Sequence, residues 1–221
     1  MVESNMRRAA LPRGGRQRER TRNAILAAGQ QLFATRALES VTIDEIVEVA
    51  DVAKGSFYNH FNGKEGLAQA VLEMVRGDCE FRVFAANRDV SHPPLRLVRA
   101  MCVVIRYAME HPERLQSLLG LSERHTAYNS TFNVGINADL NQGLEDGSFS
   151  GMDIEAGVLV VIGLITIAVR HVMAAETEAA PATIAVSLGA ALLRSLGVSA
   201  ADAAATAADA AEAILHSEPA R

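Results

Sequence analysis

Residues 41–67, VTIDEIVEVADVAKGSFYNHFNGKEGL, contain the pattern that decides the fold. Thr42 and Glu45 have the spacing of a capping box, in which the hydroxyl accepts from a backbone N–H of the first turn while the carboxylate reaches back. The apolar residues that follow repeat at helical spacing. They are Ile43, Ile46, Val47 and Ala50. This stretch therefore predicts a short helix that begins after Thr42.

A second short helix is predicted over residues 53–60, directly after the pair Asp51-Val52. Phe57 and Phe61 are spaced to face inward. The polar residues fall on or near the outer surface: Lys54, Ser56, Tyr58, Asn59 and His60. Two short helices joined by a tight turn form a helix-turn-helix, whose second helix can lie in the major groove of DNA.

The residue types of the second helix suit contacts to DNA. Gly55 would permit close approach, and Ser56 and Asn59 would address base edges. The longer side chains have the reach for phosphates. These are Lys54, Tyr58 and His60. Periodicity alone favours another interpretation, in which the same residues are only the outer face of a three-helix bundle.

The residues on either side extend the pattern. Asn62-Gly63-Lys64-Glu65 is predicted to be another capped helix start, with Lys64 placed for a phosphate contact. An amphipathic helix is predicted over residues 19–34. It is preceded by a flexible basic arm, residues 1–18, in which Pro12 and Gly14-Gly15 oppose early helix. By charge alone, this arm is equally compatible with a solubilising tail and with a DNA contact.

Taken together, residues 19–78 closely resemble the DNA-binding domain of TetR-family regulators, with the helix-turn-helix at about 42–61. The resemblance implies an all-α fold with a larger helical domain that binds an effector and dimerises. It implies that Thr42 and Lys64 contact phosphates and that a further set of residues forms the reading surface. That set is Lys54, Gly55, Ser56, Tyr58, Asn59 and His60. The pattern departs from the family at Asp51, where a turn glycine is usual, and at Ala53, where a capping serine is common.

The remainder of the chain is predicted to be helical, because apolar periodicity continues without strand-like alternation. The effector-binding and dimerisation domain is assigned to residues 79–198, and residues 199–221 to an alanine-rich tail or capping helix. Helices are expected at 64–86, 94–109, 112–119, 122–145, 153–175 and 180–196. The last two are the most apolar, and the family resemblance implies that they form the homodimer interface. Candidate interface residues are Ile162, Ile165, Val169, Leu188 and Leu192, for which packing in the monomer core is an equal alternative.

A stripe of polar residues runs along the predicted helix 122–145. His125, Asn129, Asn133, Asn137 and Asn141 recur every four residues. Such a stripe suits either a polar effector in an apolar cavity or, as the duller alternative, a solvated face. The candidate effector-binding residues are Arg106, Tyr107, Arg124, His125, Tyr128, Asn129, Asn133 and His171.

Composition restricts the function class. About half of the 221 residues are hydrophobic, and the net charge of −5 hides a basic N-terminal end. Cys79 and Cys102 are the only cysteines, and no signal-peptide pattern occurs, so a cytoplasmic protein is expected. The longest apolar run, 158–169, is shorter than a membrane span and is predicted to be a buried helix.

Motifs of catalysis are missing from the sequence. It contains no HExxH, CxxC or Gly-x-Ser-x-Gly pattern and no Gly-rich phosphate loop. No catalytic residue, metal site or cofactor is therefore predicted. The resemblance to TetR-family regulators implies a transcriptional repressor released from a pseudo-palindromic operator on double-stranded DNA by a small-molecule effector. The alternative is a ligand-sensing dimer that activates, or one that lacks sequence-specific DNA binding.

Overall fold

The computed structural model describes residues 13–122, 133–174 and 180–216, which form helices joined by short turns. No strand occurs in these ranges, so the predicted all-α fold is confirmed. The N-terminal helices are α1 (Arg13–Thr35), α2 (Ile43–Val49), α3 (Lys54–Tyr58) and α4 (Gly63–Asn87). The others are α5 (Pro93–Glu110), α6 (Pro112–Ser122), α7 (Val134–Glu145), α8 (Ile154–Met173), α9 (Pro181–Ser195) and α10 (Ala200–Leu215).

Two hydrophobic cores organise these helices. The smaller core joins α1, α2, α3 and the first half of α4, and it includes Ile25, Phe33, Ile46, Phe57 and Leu67. The larger core joins the second half of α4 to helices α5–α10. Helix α6 also packs along α1, which connects the larger domain to the smaller one.

Helix α1 begins earlier than the sequence predicts. Residues 13–18 are helical, so the predicted flexible arm cannot extend to residue 18. Pro12 precedes the helix, where a missing N–H costs nothing, and Gly14-Gly15 fall in its first turn. Extending a helix that is already anchored in a core requires only propagation, which two glycines weaken but do not stop. Residues 1–12 lie outside the described ranges.

The predicted helix 122–145 has different bounds. Helix α6 continues to Ser122, and α7 begins at Val134 with Asn133 as its N-terminal cap residue. Residues 123–132 lie outside the described ranges. Of the amide stripe, Asn137 and Asn141 donate to the backbone oxygens of Asn133 and Asn137, at 2.9 and 2.7 Å. These amides therefore bond within their own helix, which favours a solvated face over an effector contact at both positions.

Helix α8 is only partly buried, which corrects the prediction of a buried helix over residues 158–169. Val158, Val161 and Val169 are buried, whereas Leu159 and Ile167 are 47% and 54% exposed. Among the helices of the described ranges, α8 alone is long and apolar enough to cross a membrane. A core helix meets the same criteria, and α8 packs against α5, α7 and α9.

The alanine-rich C-terminal segment forms a regular helix of the larger core. Its buried side chains pack against α5 and α9. Four of them are small, and the fifth is a large apolar residue at the end of the helix: Ala203, Ala207, Ala210, Ala211 and Ile214. Close approach of the helices replaces the large apolar residues that the segment lacks. Gly189 of α9 sits where a Cβ would lie 3.4 Å from the Cβ of Ala207.

The close contact between Gly143 of α7 and Phe149 gives a test of the packing in the larger core. A Cβ at Gly143 would overlap the buried Phe149 ring, whereas a Cβ at Gly135 of the same helix would meet no atom within 4 Å. We expect Gly143→Ala to lower the free energy of unfolding by about 1–3 kcal/mol, because overpacking forces strain into the core. Gly135→Ala should match or exceed the wild type, because alanine is the better helix former. Urea unfolding at a fixed protein concentration measures both, and equal stabilities would refute the contact.

Candidate nucleic-acid interface

Helix α2 begins at the predicted capping box. The Thr42 hydroxyl accepts from the Glu45 N–H at 3.3 Å, and the Thr42 N–H donates to the Glu45 carboxylate at 2.8 Å. The hydroxyl also donates to the same carboxylate at 2.8 Å. Because that hydroxyl already has a donor and an acceptor partner, a phosphate contact by Thr42 requires it to exchange its bond to Glu45.

The Glu45 carboxylate has a further partner that the sequence analysis missed. Arg36, at the end of α1, donates to it at 2.7 Å. This bond and those from Thr42 lower the pKa of Glu45 to about 2. Nothing in the spacing of Arg36 and Glu45 signals the pair, because it depends on how α1 packs against α2.

The turn between α2 and α3 uses a left-handed backbone at Asp51, with φ of 51°. Aspartate tolerates this conformation better than most side chains, which explains how it occupies a position suited to glycine. Helix α3 then begins at Lys54, and its N-cap residue, Ala53, offers no side-chain cap, as its residue type predicts. The turn therefore forms with one hydrogen bond fewer than a serine would provide.

Helix α3 divides as predicted into a buried and an exposed face. Phe57 and Phe61 are buried, with ring centroids 5.9 Å apart. Tyr58 is 56% exposed. Lys54, Gly55 and Asn59 are exposed as well, and Ser56 and His60 are half-buried. A Cβ at Gly55 would meet no atom within 4 Å, so no contact among the described residues requires glycine there.

Lys54 is paired with an acid on the neighbouring helix. Its ammonium lies 2.6 Å from a carboxylate oxygen of Asp44, a residue that the sequence analysis did not single out. The hydrogen bond and charge of Asp44 raise the pKa of Lys54. Both side chains are largely exposed, so water and salt screen the pair and leave Lys54 free to exchange partners.

Lys64 has a structural role that differs from the predicted phosphate contact. Its ammonium donates to three backbone oxygens, those of Leu38, Glu39 and Val41, at 2.9, 3.1 and 3.1 Å. An ammonium has three donors, so these bonds use all of them. Lys64 therefore holds the start of α4 against the loop between α1 and α2.

The predicted cap at Asn62 is also corrected. Asn62 makes no side-chain cap bond, and Gly63 adopts a φ of +82° at the start of α4. Glycine enters this left-handed region without steric cost, so the chain turns sharply between α3 and α4. The turn brings Lys64 towards the carbonyls that it binds.

The candidate effector residues within the described ranges differ in burial and in the partners that they contact. Arg106 donates to the backbone oxygen of Ile214 at 2.8 Å and so ties α5 to the end of α10. Tyr107 is buried towards α4 and α6, with Arg82 4.9 Å from its ring centroid. His171 is exposed on α8, and Asn133 is buried at the start of α7. The other candidates, Arg124, His125, Tyr128 and Asn129, lie outside the described ranges.

Residues 25–71 match the model of the family described as bacterial regulatory proteins, tetR family. These residues form a DNA-binding domain of the TetR family. It is 35% identical over 75 residues to the HTH-type transcriptional repressor DhaR of Mycobacterium sp. (strain GP1), a match that covers 34% of this chain and 38% of DhaR. It is 26% identical over 163 residues to the HTH-type transcriptional repressor KstR2 of Rhodococcus jostii (strain RHA1), covering 67% and 78%.

The solved structures support the fold over more of the chain. RolR in complex with resorcinol superposes with a TM-score of 0.59 at 24% identity, covering 87% of this chain and 95% of RolR.

The bonds of Lys64 give a test within the TetR-type domain. We expect Lys64→Met to lower the free energy of unfolding by roughly 1–3 kcal/mol, because three carbonyls lose a charged donor. Lys54→Met, which breaks only an exposed ion pair, is the matched control and should unfold like the wild type. Chemical denaturation distinguishes them. If the Lys64 variant has wild-type stability and its DNA binding depends less on salt, Lys64 contacts a phosphate instead.

Proposed function

We propose that this protein is a homodimeric transcriptional repressor that leaves a pseudo-palindromic DNA operator when a small-molecule effector binds. The observation that carries the proposal is the open outer face of α3. The side chains of this face point away from the smaller core, and Gly55 exposes backbone where no contact in the described part of the chain requires a glycine. A major groove admits a helix with such a face.

We assign roles on this face by reach and chemistry. Ser56 and Asn59 address base edges, since hydroxyl and amide groups match their donors and acceptors. Tyr58, Lys54 and His60 contact phosphates, and Thr42 does so after exchanging its bond to Glu45. Lys64 acts indirectly, by holding the loop before α2 in place.

The dimer in this proposal forms through α8 and α9. Leu159, Gly163 and Ile167 recur every four residues along one exposed face of α8, and a Cβ at Gly163 would meet nothing within 4 Å. Ile162, Ile165 and Leu188 are half-buried beside it, whereas Val169 and Leu192 belong to the monomer core and leave the set of candidates. A two-fold axis would place two recognition helices about 34 Å apart, one turn of DNA.

Release by an effector would be a shift between two dimer arrangements. An effector that moves the population from almost fully bound to almost fully free must distinguish the two states by about 5.5 kcal/mol. DhaR and KstR2 are named repressors, and RolR is seen with resorcinol, which supports repression and a small-molecule ligand. We infer a cytoplasmic protein that is not an enzyme.

DNA selection tests the proposal. Duplexes retained by the purified protein from a random pool, in the presence of competitor DNA, should converge on a pseudo-palindrome. Convergence on no sequence would favour the alternative, a ligand-sensing dimer without sequence-specific DNA binding. Convergence together with increased transcription from a promoter carrying the selected site would favour an activator.

Gly55→Ala provides the matched variant. Because a Cβ there meets only open space, we expect wild-type or higher stability but at least a tenfold loss of affinity for the selected duplex, measured by fluorescence anisotropy. Gly135→Ala, the same change on α7, should leave the affinity unchanged. Equal affinities for all three proteins would place α3 outside the DNA interface.

A charge on the exposed face of α8 tests the dimer. We expect Leu159→Glu combined with Ile167→Glu to give a folded monomer in light scattering and to weaken DNA binding, because a buried unpaired carboxylate opposes association. Val134→Glu, at another exposed apolar residue, should leave the dimer intact. A dimeric double variant would assign the interface to another surface.

A further inference from the structure

A groove of about 310 Å³ opens to solvent between the first turns of α1 and the end of α3. Its lining residues are Gly15, Arg18, Glu19, Arg22, Asn59 and His60. Two guanidinium groups thus face an imidazole and an amide, and Glu19 is the only acid among these six. The groove lies beside the face of α3 that carries Tyr58, yet most of its positive charge comes from α1.

Arg22 is held at this position by an aromatic contact. Its guanidinium carbon lies 5.4 Å from the centroid of the Phe61 ring, and Phe61 belongs to the core beneath α3. A guanidinium over an aromatic face is attracted to it electrostatically. Arg18 is one turn earlier on the same side of α1, so the two arginines form one wall of the groove.

His60 responds to both arginines. Partial burial lowers the pKa of its imidazole, and the charges of Arg18 and Arg22 lower it further. The imidazole is therefore neutral near pH 7, with one nitrogen able to donate. Four positive or donating side chains thus line the groove, and among its lining residues only Glu19 carries a negative charge.

We propose that this groove binds a phosphodiester of the DNA backbone, gripped by Arg18 and Arg22 of α1 against His60 at the end of α3. The proposal rests on the proposed DNA-binding function and adds a contact from outside the helix-turn-helix. Guanidinium groups match phosphate oxygens with paired donors. When α3 enters the major groove, the adjoining sugar-phosphate backbone must pass its ends, and this groove lies at one of them.

Helix α1 supplies its own control. Arg16 lies two residues before Arg18, and Arg20 lies two residues before Arg22, so each is about 200° around the helix from the arginine that follows it. They are exposed and line no part of the groove. Arg18→Gln with Arg22→Gln and Arg16→Gln with Arg20→Gln therefore remove the same charge from opposite faces of one helix.

The experiment compares these double variants on a duplex selected by the wild-type protein. Affinity is measured over a series of salt concentrations, and phosphate contacts are mapped by ethylation interference. We expect the Arg18/Arg22 variant to lose about one unit of salt slope, as one phosphate contact predicts, and to lose one position of the interference pattern. The Arg16/Arg20 variant should keep the wild-type slope and pattern.

Equal slopes and patterns in the two double variants would overturn the proposal while leaving the DNA-binding function intact. Failure of the wild type to select any duplex would instead overturn the proposed function. The single variant Arg18→Gln retains the Arg22–Phe61 contact, so loss of the same interference position in that variant separates a phosphate contact from damage to the fold. A last measurement follows the His60 NMR resonance while inorganic phosphate is added at constant ionic strength. If phosphate binds in the groove but the variants keep the wild-type DNA footprint, the site binds a free anion and the proposal is contradicted.

Discussion

Helix α4 buries side chains in both hydrophobic cores, and the rest of the structure depends on this sharing. Leu67 and Val71 lie in the core beneath α3, while Val75 and Cys79, one and two turns further on, lie in the larger core. A helix transmits displacement along its axis because its backbone is hydrogen-bonded throughout. The position of α3 is therefore tied to the packing of the larger domain through one continuous element.

Polar contacts hold both ends of that helix. At its start, Lys64 binds the carbonyls of residues 38, 39 and 41. In its second half, Asp78 and Arg82 bind Arg114 and Glu110, which joins α4 to α6 and α5. These ion pairs are partly buried and lie beside Tyr107, so solvent screens them less than a fully exposed pair. A shift of α5 or α6 would therefore move α4 through these ion pairs.

The basic side chains near α3 differ in how strongly they are engaged within the protein. Lys54 pairs with Asp44, Arg36 with Glu45, and Lys64 with backbone oxygens. Arg22 is held by the face of an aromatic ring, a contact that leaves the N–H donors at the edge of its guanidinium plane available. The N-terminal region therefore has more basic residues than it has cations available to bind a phosphate. For phosphate binding, the arginines of α1 matter more than the lysine at the start of α4.

The sequence by itself determined the elements whose causes are local. The capping box of Thr42 and Glu45 and the inward Phe57 and Phe61 depend on residues within a few positions of one another, so spacing is enough to predict them. Only the tertiary structure decided the partners of Lys64, which are 23–26 residues away, and the pairing of Arg36 with Glu45. It also decided that Arg106 and Tyr107, neighbours in sequence, face different helices, and that Val169 is buried while Ile167 is exposed on the same apolar helix. Composition states that a side chain is apolar or charged, but only the packing of other helices determines which faces are covered and which charges meet.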